Sequence, residues 1–177
     1  MINCFIESFD DVLTENECNY IVDLLKTNDI NAYCELKRRG IMNAALDDLV
    51  PQVLMFFNSD WFIAIASIAS VSTAISELVK FITKKIKQKN LKKVTNNKVE
   101  NEKPKINIQI ENVMILNPKN DITNFESYYK ESFIIAKDFV DNNNKQEIIV
   151  EYDMQTKRAK ALTLEEYANK CMNKRNV

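Results

Sequence analysis

The chain has 177 residues, 46% apolar and 28% charged, with a formal net charge of −1, which supports one ordinary domain or two small ones and excludes a wholly disordered chain. It contains no histidine and one glycine, Gly40; this removes the commonest general base and metal ligand, every histidine-activated nucleophile and the glycine-rich loops that cradle phosphates. Residues 1–79 carry twelve acids and four bases, residues 80–105 ten lysines and two acids, and residues 106–177 eleven acids and ten bases, an acidic, basic, neutral order that bears on partners rather than on fold.

Residues 2–9 alternate loosely and predict a short strand. Thr14 and Glu17 stand in capping-box spacing ahead of Tyr20, Ile21, Leu24 and Leu25, so a helix is expected over 15–27. Ile30 to Arg39 fits either a second helix or a strand, closed by Gly40 with positive φ. Apolar residues at 41, 45, 46, 49, 53, 54 and 57 then follow a helical period that Pro51 must kink or restart.

Trp61 to Ser76 is a run of sixteen uncharged residues, short of the roughly 20 that a spanning helix wants. Ile65, Ile68, Ser72, Ile75, Val79, Ile82 and Ile86 recur at alternating steps of three and four, the seam of a helix packed along its length. Ser70, Thr73, Glu77, Lys80, Lys84 and Lys87 occupy the opposite side. The seven seam residues are therefore the candidate interaction surface of a long helix over 60–88. Three uses compete for its stretch 61–87: a core helix of its own domain, a contact with a second copy or another protein, or a place at a membrane. Ala66, Ser70 and Ala74 suit close packing in lipid, and the lysines suit anionic headgroups.

The basic candidates are Lys84, Lys85, Lys87, Lys89, Lys92 and Lys93, leading into a polar, lysine-rich linker over 89–104. That stretch has neither arginine nor an aromatic residue to stack a base, so nucleic acid is not expected as a partner. Beyond it, Ile106, Ile108 and Ile110 alternate with polar residues while Val113 and Ile115 have the other parity, a shift that a bulge near Glu111 or Asn112 reconciles. A helix follows to about Val140, with Ile122, Phe125, Tyr129, Phe133, Ala136 and Val140 inward and Tyr128 half exposed. Strands over 147–152 and 157–162 form a hairpin, and Thr163 with Glu166 opens a last helix.

The expected fold is α+β: a mainly helical N-terminal domain over 1–88, the linker, and a small β-α-β-β-α domain over 105–177. The four cysteines at 4, 18, 34 and 171 have no ligand spacing. The N-terminus lacks a signal sequence, so they are expected to be reduced thiols in a cytoplasmic protein. Asp29 followed by Glu35-Leu36-Lys37 superficially resembles the acid and Glu-x-Lys of metal-dependent nucleases, and Glu151 with Asp153 point to one side of a strand. A solvated charged face accounts for both. The overall plan, an alanine-serine-isoleucine helix, a lysine-rich neck and a small α+β cap, is similar in outline to accessory modules of bacterial conflict systems, and twenty lysines to four arginines with abundant isoleucine and asparagine is a usage associated with AT-rich bacterial or phage coding. The function expected is that of a non-enzymatic assembly or adaptor protein of bacterial or phage origin, needing no cofactor, metal or small-molecule substrate and acting by helix-mediated self-association or partner binding. A membrane-interacting protein and a metal-dependent nuclease are the alternatives.

Overall fold

The computed structural model describes residues 2–9, 12–37, 52–58, 65–89, 92–95, 98–101, 105–118, 125–142 and 145–175. Strand β1 (Ile2–Phe9) leads to helix α1 (Glu15–Lys26) and back to β2 (Ile30–Lys37), parallel to β1 with Cys4 beside Ala32 and Ile6 beside Cys34. The capping box forms as its spacing requires: the Glu17 amide donates to Thr14 Oγ1 at 3.3 Å, and the Thr14 amide to Glu17 Oε2 at 2.9 Å. Helix α1 buries Cys18, Ile21 and Leu25. Asp29, at φ 59°, makes the turn into β2, a left-handed conformation that a short polar side chain tolerates.

Strand β3 (Val53–Phe57) pairs antiparallel with the other side of β1. Helix α2 (Ile65–Gln88) follows, then a hairpin of β4 (Lys92–Thr95) and β5 (Lys98–Asn101), and then β6 (Ile106–Ile110), parallel to β3. Strand β7 (Val113–Leu116) returns antiparallel to β6 through Glu111, at φ 50°. The change of parity thus falls in a two-residue turn, where no bulge is needed. Helix α3 (Phe125–Asp141) connects β7 to its parallel neighbour β8 (Ile148–Asp153), which forms a hairpin with β9 (Arg158–Thr163). The last helix, α4 (Leu164–Arg175), is capped reciprocally by Thr163 and Glu166.

The seven main strands lie in the order β2-β1-β3-β6-β7-β8-β9. Register places Cys4, Ile6, Val53, Met55, Phe57, Ile106, Ile108, Ile110, Val113, Ile115, Ile148 and Val150 on one face, and all are buried. Helices α1, α2 and α3 cover this face: Cys18 reaches Cys34, Tyr20 packs on Phe81 at 4.8 Å, and Phe133 meets Phe57 edge-on at 6.4 Å. The crossovers β1-α1-β2 and β7-α3-β8 step in opposite directions across the sheet with their helices on the same face. They are therefore of opposite hand, and one departs from the right-handed rule.

This architecture corrects the expected fold class. The N-terminal region is not mainly helical, because it contributes three strands, and the C-terminal elements are not a separate β-α-β-β-α unit. The β3-β6 pairing joins both halves in one mixed sheet. The run Val-Leu-Met-Phe-Phe at 53–57 satisfies a helical period at 53, 54 and 57, but burial alternates at 53, 55 and 57. Such a short apolar run fits either period, and pairing on both sides decides for strand. The lysine-rich stretch, expected to be a plain connector, contains the β4-β5 hairpin. Gly40 and the helical segment expected over 41–50 lie outside the described residues.

Candidate functional site

The seam of α2 faces the interior of its own chain. Ile68, Ile75, Val79, Ile82 and Ile86 are at most 1% exposed, and Ser72 is buried with its hydroxyl donating to the Ile68 carbonyl at 2.5 Å. The Ile65 side chain lies outside the described residues. The six described residues of the ridge therefore meet the sheet and the neighbouring helices of their own chain. The side expected to be polar is the exposed one, with Ser70, Thr73, Glu77, Lys80, Lys84 and Lys87 in contact with solvent to differing degrees. Among the described residues, no helix is long and apolar enough to cross a membrane.

The basic candidates divide by helix face. Lys85 and Lys89 turn toward α1, where Glu17 takes both, at 3.2 and 3.5 Å. Lys85 also lies 5.4 Å over the Phe81 ring. Burial raises the Glu17 pKa, but the Thr14 amide and the two lysines outweigh it, so the carboxyl is held below its usual range. Lys84 and Lys87 point away from α1 with Lys80. The Lys92 and Lys93 side chains lie outside the described residues, on β4.

The carboxylate candidates do not converge. Asp29 and Glu35 are six residues apart along an extended strand, about 20 Å, too far to share a metal ion. Glu35 is exposed, and Lys37 bonds Glu7 of β1 at 2.7 Å. Glu151 is held by Lys170 of α4, while Asp153 Oδ1 accepts the Gln155 amide at 2.9 Å in the β8-β9 turn. Among the described residues, no three cysteine, aspartate or glutamate side chains could hold a metal ion. Cys18 and Cys34 are joined as a disulfide with their Cα atoms 5.8 Å apart, against the expectation of reduced thiols. Cys4 stays free and buried, its thiol pKa pushed up by desolvation. Tyr128, expected to be half exposed, is 2% exposed and donates to the Leu116 carbonyl at 2.6 Å.

The opposite face of β2, β1 and β3 bears a row of cross-strand pairs. Asn31 donates to Asn3, the Phe5 and Tyr33 rings stack at 5.6 Å, and Phe56 tilts against Phe5 at 6.1 Å. Glu7 lies directly opposite Glu35 in register; the Lys37 ammonium on Glu7 offsets that like-charge pair, and the same hydrogen bond raises the lysine's pKa. Tyr33 is 63% exposed. The two sheet edges differ. On β9 the Ala159 amide donates to Glu131 of α3 at 3.0 Å, which caps that edge. The eight-residue β2 has no backbone partner on its outer side among the described residues. The chain matches no family model, no curated protein and no solved structure. The β2 edge escaped the sequence because Ile30 to Arg39 was ambiguous in type; the alternation at Asn31, Tyr33, Glu35 and Lys37 is the signal that marks it.

Proposed function

We propose that the protein is a non-enzymatic assembly module that joins a second copy of itself edge to edge through β2. The observation that carries this is the charge order on the exposed row of that edge. Glu35 and Lys37 stand two residues apart on one face of a strand with no outer neighbour among the described residues. An antiparallel pairing about a twofold axis at Leu36, made at the C-terminal end of β2 over residues 35 to 37, sets Glu35 of each copy opposite Lys37 of the other, twice by symmetry. A uniformly acidic or basic partner gains nothing comparable. Unprotected edge strands pair readily with other strands, and the capped β9 edge directs that pairing to β2. Self-association thus moves from the helix seam, which the core uses, to the sheet.

Light scattering on a sizing column at tens of micromolar tests this. A discrete dimer that persists in mild detergent supports it. A monomer at that concentration, or protein recovered on anionic liposomes instead, contradicts it.

A further inference from the structure

Cys18 and Cys34 join helix α1 to the outer strand β2, and the two ends of the bridge are held differently. Cys18 is 5% exposed, and its neighbour Glu17 takes Lys85 and Lys89 of α2, so the helix end is fixed. Along β2 the inward anchorage weakens: Ile30 is fully buried, whereas Ala32, Cys34 and Leu36 are only partly so. Past Cys34, the described strand is held by its ladder to β1, by Leu36 and by the partly exposed Lys37–Glu7 ion pair, a kind of contact that contributes little. The bridge is therefore the firm tie that immediately precedes residues 35 to 37, the segment assigned above to pairing with a second copy.

We propose that the Cys18–Cys34 bridge is a reversible redox switch for that pairing: the oxidised chain dimerises through β2, and reduction by a dithiol releases the strand end and weakens the dimer. The switch rests on the edge-pairing reading. A thiolate of the dithiol attacks the Cys34 sulfur, the more accessible of the two, and the S–S bond breaks as Cys18 leaves as a thiolate and takes a proton. The second thiol of the reductant then attacks the mixed disulfide and frees Cys34. The bridge gains two electrons and two protons, and the dithiol becomes a disulfide. Reoxidation returns the same pair. Cys4 stands beside Ala32, diagonal to Cys34; strand spacings put their Cα atoms about 8 Å apart, beyond the roughly 7 Å limit for a bridge. Burial also pushes the Cys4 thiol pKa up and keeps it protonated. Cys171 lies on α4, against β8 and β9 at the other end of the strand order.

Light scattering over a concentration series, with the full chain equilibrated in oxidised or reduced dithiothreitol, tests this. Alkylation after denaturation, read by mass, counts the thiols in each sample. The bridged chain, with Cys4 and Cys171 alone alkylated, is expected to dimerise. The chain alkylated at all four cysteines is expected to dissociate about tenfold more readily, with unchanged far-UV circular dichroism, and reoxidation is expected to restore the dimer. Cys18→Ser with Cys34→Ser is expected to match the reduced chain under both conditions. A monomer while the bridge is intact overturns the edge pairing and the switch with it, whereas equal dimer affinity for bridged and reduced chains overturns the switch alone. A bridge that survives excess dithiothreitol in the folded chain, or a reduced chain that unfolds, overturns the switch as well.

Discussion

Glu17, the third residue of α1, stands 3.2 Å from the ammonium of Lys85 in α2 and so fastens the first crossover helix to the central one. The carboxyl's lowered pKa gives the link a pH sense. A group whose folded pKa lies below its unfolded value contributes stability above the unfolded value and loses it as pH falls through the folded one. Urea midpoints should therefore fall on acidification below about pH 4, and Glu17→Gln should flatten that part of the dependence. A variant as acid-sensitive as the parent would show that Glu17 is not the group responsible.

Ile75 is fully buried between helix and sheet. Ile75→Ala should cost about 2–5 kcal/mol by urea unfolding, from lost transfer energy and the residual cavity. Ile75→Asp should leave the chain unfolded, whereas a folded, monomeric Ile75→Asp protein would mean that the ridge serves contacts between molecules after all.

Much of the secondary structure was legible because its signals are local. The capping residues Thr14 and Thr163, the seam of α2, the alternation of β6 and the β8-β9 hairpin all declare themselves within a few residues. What was hidden is pairing between distant segments. Nothing near Val53 to Phe57 announces that the run lies between β1 and β6, and nothing near Ile30 to Lys37 announces a sheet edge. Six of the seven seam residues, Ile68 to Ile86, are buried, but a stripe of aliphatic side chains does not say whether its cover comes from the same chain. The burial of Tyr128 was hidden because its hydroxyl finds carbonyl acceptors, at Leu116 and Val150, that only the folded chain provides.

Removing that hydroxyl tests its role. Tyr128→Phe leaves the partly buried Leu116 carbonyl without its 2.6 Å donor, and the net loss of such a hydrogen bond is about 0.5–1.5 kcal/mol. Thermal unfolding should show the loss. An unchanged midpoint would mean that Leu116 finds another donor.

The Cys18–Cys34 bridge ties α1 to the outer strand across a separation of 16 residues. A loop of that size corresponds to about 3 kcal/mol of stabilisation in the chain-entropy account. Dithiothreitol, or Cys18→Ser with Cys34→Ser, should lower the melting temperature by several degrees. A melting curve indifferent to both treatments would show that the bridge contributes nothing to stability.

Edge-to-edge assembly is tested most directly by a charge-exchange cycle at Glu35 and Lys37, followed by light scattering. The wild type should be a dimer. Glu35→Lys and Lys37→Glu should each shift it toward monomer by setting like charges opposite one another, and the double exchange should restore the dimer. Equal masses for all four proteins, or a double variant no better than either single one, would contradict pairing through β2.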